Sequence, residues 1–223
     1  MSLEINRFPS SRFFKKRRLS PVFIFIGINS LVFLAWGYSN YNLSTYYFMR
    51  SNFLVSWTSL TDGRIWTLVT SAFSHNMLWH FLINMFVLAN FGPIVERILG
   101  RYHFIKFYFG AALISSLCHS IVSAFIIGDP SLPALGASGA LSGLILIFSM
   151  VFPRERILIM GILPIPAFWG ALLFVGLDIW GLVAQAEGGG LPIGHGAHLG
   201  GAFTGILYYL FVLRRRIGHV GFQ

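Results

Sequence analysis

Charge is scarce in this chain: only 10% of its 223 residues are Asp, Glu, Lys or Arg, while 56% are hydrophobic. That shortage excludes an ordinary soluble domain, in which about a quarter of the residues are charged. Acidic residues are scarcer still, seven against sixteen Lys and Arg, and the formal net charge is +9. Cysteine occurs once, as Cys118. A single thiol excludes an intrachain disulfide framework and a thiolate metal cluster, and it reads as a buried side chain. Internal repeats and low-complexity linkers are also missing, so one domain is the simplest organisation.

Long apolar runs are what the chain does have. A helix rising about 1.5 Å per residue needs roughly 20 residues to cross about 30 Å of hydrocarbon. Six stretches approach that length, at about 21–38, 77–95, 103–127, 136–152, 164–185 and 196–213. The expected fold class is an all-α polytopic membrane protein. A basic tail at 1–20 and another at 214–223 flank the membrane domain at 21–213.

The placement of the cations decides what the positive charge is for. Arg7, Arg12, Lys15, Lys16, Arg17 and Arg18 precede the first span; Arg97, Arg101 and Lys106 surround the second loop. Arg154 and Arg156 form the fourth loop, and Arg214, Arg215 and Arg216 follow the last span. With six crossings all of these fall on one face, and only Arg50 and Arg64 fall on the other. This is the positive-inside pattern, with both termini cytoplasmic, and it assigns the charge to topology and the lipid bilayer rather than to nucleic acid. No small-residue cleavage site follows the first apolar run at GYSNY. The basic tail therefore reads as retained, and a bacterial inner membrane is the expected location. Between the first two spans, residues 39–76 mix Tyr41, Tyr46, Tyr47, Phe48, Phe53, Trp57, Trp66 and Phe73 with few charges, which suits the headgroup zone.

Polar side chains inside a bilayer are costly and mark functional sites. His75, His80, Asn84, Ser138, Asp178, His195 and His198 are the informative ones. Ser138 precedes Arg154 by 16 residues and His198 precedes Arg214 by 16, which puts each about 24 Å above the cytoplasmic boundary in a straight helix. His80 precedes Arg97 by 17 residues, or about 25 Å, and Asn84 lies one turn deeper. All four fall near one level, on three helices running the same way. A serine hydroxyl needs a base to become a nucleophile, and a neutral imidazole is the usual one. Ser138 and His198 supply that pair. The negative oxygen of an acyl-transfer intermediate needs donors in a dry site. His80 and Asn84, spaced i and i+4, share a helix face, and Ser138 opens its helix with unpaired N–H groups. Gly139 and Gly143, and Gly201 and Gly205, form small-xxx-small pairs that allow close helix contact.

These residues resemble the rhomboid family of intramembrane serine proteases. The resemblance rests on GASG at 136–139, AHLGGAFTG at 197–205 and HNMLWHFLIN at 75–84, with GPIVERILG at 92–100 and GLDIWG at 176–181 as similar surroundings. It implies a six-helix bundle in which Ser138 is the nucleophile and His198 the general base of a dyad. The His80 and Asn84 side chains and the backbone N–H of Ser138, with that of Ala137, would form the oxyanion hole. Gly136, Gly139, Gly143, Gly201 and Gly205 would support the packing. The implied substrates are transmembrane proteins, cut near a helix end without metal or other cofactor. The family manages without a carboxylate behind its base, so Asp178 receives no role, and His195 stands only as a second candidate base. One departure is Thr67 after Trp66, where the family commonly has Trp-Arg; Arg64 lies two residues before that tryptophan. Two other readings remain open: a catalytically inactive rhomboid-like protein that binds transmembrane segments, and a small transporter or metal permease using the histidines.

Overall fold

The computed structural model describes residues 19–159 and 162–217. Most of the basic tail at 1–20, with its six cations, and residues 218–223 lie outside the described residues. Helix α1 (Pro21–Ser39) starts where Ser20 accepts a hydrogen bond from the Val22 N–H, with proline at the first helical position. The aromatic segment between the first two expected spans is folded. It contains α2 (Leu43–Phe53), capped by Asn42, α3 (Trp57–Thr61), closed by a reciprocal Ser56–Ser59 capping box, and α4 (Thr67–Thr70) running into a single 3₁₀ turn. Next come α5 (Leu78–Leu99) and α6 (Arg101–Val122), joined by Gly100 alone at φ +77°. A left-handed conformation of this kind is the province of glycine. Pro93 sits inside α5 without ending it. A π-helical turn, Ser123–Ile127, extends α6 to Gly128.

Helix α7 (Ser138–Val151) is the centre of the molecule. It is followed by an antiparallel hairpin of β1 (Arg156–Ile159) and β2 (Leu163–Pro166), then α8 (Ala167–Ala186), α9 (His195–Tyr208) and, after a π-helical turn, α10 (Arg214–Ile217). Helices α5, α6, α8 and α9 surround α7, and α1 packs outside α5. Leu144 and Ile147 of α7 have no exposed surface. The outward faces are apolar instead: Leu31 of α1, Phe86 of α5 and Trp180 of α8 are 69%, 63% and 68% exposed. A molecule greasy on its outside and lined with small and polar residues within is a membrane bundle.

Among the described residues, five helices are long and apolar enough to cross a bilayer. The fourth expected span differs. Helix α7 has 14 residues, about 21 Å at 1.5 Å per residue, too short to cross alone. Its missing length is a partly buried, non-helical entry, 132–137, paired with the rest of the protein. There Ala134 and Val55 exchange two backbone hydrogen bonds, and the Gly136 N–H donates to the Ser71 carbonyl. Irregular backbone at membrane depth is tolerated when protein partners satisfy it in this way. At its other end α7 stops at Val151, so the count from Arg154 overstates the helical distance to Ser138 by three residues. The hairpin between α7 and α8 is absent from the all-helical expectation. It rests on α8 at Gly170, where a Cβ would come within 2.6 Å of Ile157 Cδ1.

Candidate active site

The nucleophile candidate is placed by the non-helical entry and the first turn of α7, and the base candidate by the first turn of α9. Ser138 Oγ and His198 Nε2 lie 2.9 Å apart. That is hydrogen-bond distance between a hydroxyl and an imidazole, the contact through which a base activates a serine. The approach depends on glycine. A Cβ on Gly201 would lie 1.8 Å from the Gly139 carbonyl oxygen, and one on Gly205 would lie 2.6 Å from that of Gly143. The backbones of α7 and α9 therefore touch along two turns. Gly139 also admits α6: a Cβ there would lie 1.7 Å from Ser115 Oγ, and that hydroxyl donates to the Ala197 carbonyl at 2.9 Å.

The second expected group gathers on the α5 side. Gly136, at φ +121°, would bring a Cβ within 2.6 Å of His80 Cε1 and 2.8 Å of its Nε2. The ring of His80 thus lies against the chain two residues before Ser138. Asn84 is buried, and its Nδ2 donates to the His80 carbonyl at 2.7 Å. A carboxamide nitrogen has two hydrogens, so one remains for a ligand. The Ala137 N–H does not point to an open hole. It donates to His75 Nε2 at 3.3 Å. His75 is wholly buried, and its ring centroid lies 4.9 Å from that of His80. Burial pushes the His75 imidazole down to about 3, helped by neighbouring His80 and opposed by a weaker interaction with Asn84. A neutral ring has a free lone pair, which explains why this buried histidine takes a backbone donor.

Behind His198 the arrangement departs from the expected dyad. Asp178 Oδ1 lies 2.9 Å from His198 Nδ1 and 2.7 Å from His195 Nδ1. His195 therefore faces the carboxylate rather than Ser138. Phe174, one turn before Asp178 on α8, stacks on the His198 ring with centroids 5.6 Å apart and planes at 30°. His119 on α6 was not among the residues singled out from the sequence. Its Nε2 meets the Leu132 carbonyl at 3.1 Å and ties down the entry to α7. The clue was there in the buried polar stripe of α6 (Ser115, Ser116, His119, Ser120 and Ser123) inside an otherwise apolar helix. In the first loop Thr67 is fully buried and donates to the Arg64 carbonyl at 2.6 Å, while the Arg64 guanidinium pairs with Asp62 at 2.7 Å.

Comparison with known proteins adds the following. The family model for the Rhomboid domain matches residues 62–215. RHOMBOID-like protein 12, mitochondrial, of Arabidopsis thaliana is 32% identical over 200 residues, covering 84% of this chain and 57% of its own length. Rhomboid protein 1, mitochondrial, of Saccharomyces cerevisiae is 31% identical over 211 residues, covering 92% and 56%. Presenilin-associated rhomboid-like protein, mitochondrial, of Rattus norvegicus is 29% identical over 211 residues, covering 93% and 52%. The chain thus spans a little over half the length of these relatives. Their names place them in mitochondria, which gives no support to the bacterial inner membrane expected from the sequence.

Proposed function

The chain belongs to the rhomboid family, and from that premise we propose that it is a serine endopeptidase that cuts membrane-protein substrates in or near their transmembrane segments. The observation that carries this reading is the 2.9 Å contact between Ser138 Oγ and His198 Nε2. In the proposed reaction His198 Nε2 takes the hydroxyl proton as Ser138 Oγ bonds to the scissile carbonyl carbon. The carbonyl oxygen becomes an oxyanion, met by the Ser138 backbone N–H, the His80 ring and the spare N–H of Asn84. His198 returns its proton to the leaving amide nitrogen as the C–N bond breaks, leaving an ester on Ser138. Water, deprotonated by His198, hydrolyses that ester and restores both groups. The apolar outer surface suits substrates that approach within the bilayer. An even number of crossings with the cations gathered on one face suits termini on the same side.

Purified protein reconstituted with a transmembrane substrate tests the reading. S138A and H198A are expected to abolish cleavage, and a fluorophosphonate probe is expected to label wild type but neither variant. Wild-type protein that binds the substrate yet neither cleaves it nor reacts with the probe would support the inactive, segment-binding alternative instead.

A further inference from the structure

A carboxylate in the interior of a membrane bundle is expensive unless something requires it. Asp178 is 4% exposed and sits on α8, on the side of the His198 ring opposite Ser138. Both rings that face it, His195 and His198, present Nδ1 to the same oxygen, Oδ1, at 2.7 and 2.9 Å. Its other oxygen, Oδ2, has no partner among the described residues. A carboxylate oxygen accepts, so the contact geometry matches rings that donate from Nδ1. For His198 that tautomer leaves Nε2 bare, and Nε2 is the atom facing the Ser138 hydroxyl.

The surrounding groups are shaped for this arrangement. Gly181, three residues after Asp178 on α8, would place a Cβ 2.3 Å from both Cε1 and Nε2 of His195. The surface of α8 is cut away where the second imidazole seats. His195 and His198 are three residues apart at the start of α9 and reach one oxygen from the same helix face. Phe174 covers the flat side of His198. Helix α8 thus supplies both the partner of Nδ1 and the wall that stops the ring from turning.

We propose that Asp178 is a positioning residue for His198, holding the base in the tautomer and orientation that Ser138 needs, and that His195 fixes Asp178 by occupying the same oxygen. This rests on the serine-protease reading of the site and deepens it. As His198 takes the serine proton, the ring becomes a cation and the carboxylate beside it stabilises that charge; no proton passes to Asp178.

Two other roles would use the same contacts: a latch that merely joins α8 to α9, and a metal site, since three ligand atoms of Asp178, His195 and His198 lie within 4.8 Å of one another. The full chain in proteoliposomes separates them. D178N keeps the volume and an accepting oxygen but loses the charge, so a latch predicts near-normal turnover. Positioning predicts that kcat falls about 10²-fold or more, the scale of general-base assistance, with KM changed less than about twofold. H195F, which keeps a ring but removes the donor, is expected to lower kcat about tenfold without abolishing it. In protein labelled with ¹⁵N-histidine, wild type is expected to show a far-downfield Nδ1–H proton that disappears in H198A. That resonance tests the required tautomer on the wild-type protein even if D178N does not fold, and the turnover of H195F then separates positioning from a latch. Absence of the resonance, or a D178N kcat within about threefold of wild type, would overturn the proposal. So would loss of wild-type cleavage with 1,10-phenanthroline and its return with zinc. An active S138A would overturn the protease reading itself, whereas an inactive S138A beside a fully active D178N removes only the role of Asp178.

Discussion

At the scale of single residues, the site depends on positions where chemistry and sterics leave little choice. Gly136 combines a φ of +121° with a Cβ position 2.6 Å from the His80 ring. G136A would meet a backbone penalty of about 1–2 kcal/mol and also displace a proposed oxyanion donor. The variant is expected to melt lower than wild type and to lose most of its kcat, with fluorophosphonate labelling slowed in parallel. His75 gives a pH dependence. Its folded value of about 3 lies below the ordinary 6.5, so the unfolded chain binds the proton first as pH falls. This group's contribution to stability is complete above about pH 6.5 and is lost as the pH drops toward 3. H75Q keeps an acceptor for the Ala137 N–H but does not titrate. Its melting temperature should fall less than that of wild type between about pH 7 and pH 4.5; equal falls would remove His75 from the account. The role of His75 was hidden in the sequence because a histidine five residues from His80 gives no sign of which backbone donor it will meet. Asp178 was visible in the sequence as an intramembrane polar residue, but it received no role because the resembled family manages without a carboxylate, and its contact with His198 could not be read from spacing. Counting residues from a boundary arginine fixes a side chain's level in the membrane but not its direction around the helix, and the contact with His198 depends on direction.

At the scale of elements, glycine sets the distance between α7 and α9, and that distance sets the catalytic contact. The G201A side chain would collide with backbone, 1.8 Å from the Gly139 oxygen, and backbone cannot swing aside as a side chain can. Overpacking of this kind costs about 1–3 kcal/mol, and the strain is relieved by moving α9 away from α7. G201A is therefore expected to lower the melting temperature and to lengthen the Ser138–His198 contact, read out as slower probe labelling. G110A is the control, because nothing lies within 4 Å of its Cβ. Alanine also favours a helix over glycine by about 0.5–1 kcal/mol, so the control should melt at or slightly above wild type. If both variants lose labelling equally, close packing is not what aligns the dyad. The glycine spacing was legible in the sequence, as were the ends of α1, α6 and α9, where apolar runs meet capping residues or cations. The start of α7 at Ser138 was legible too, but the non-helical backbone before it, part of which fell inside the expected span 136–152, was not. Residues 132–137 are as apolar and small as the helix that follows, and only the pairing of Ala134 with Val55 sets them apart from it. The hairpin was masked likewise, since alternation in so short a stretch of Ile, Leu and Pro merges with the apolar run of α8.

At the scale of the whole molecule, the short α7 and the long α5 and α6 jointly decide where Ser138 lies. A helix that cannot span has one end inside the bundle, and here that end carries the nucleophile. Helices α5, α6, α8 and α9 surround α7. For this geometry to face one aqueous side, the six helices must alternate, which puts the α2–α4 segment on the side opposite to the basic ends of α5 and α9. Asp62, which is in that segment, and Arg215, which follows α9, are both exposed and mark the two sides. In a C118S background without other cysteines, D62C and R215C can be probed with a membrane-impermeant maleimide on sealed vesicles. One of the two is expected to react at once and the other only after the vesicles are opened. Reaction of both from the same side would mean that the chain crosses the membrane a different number of times.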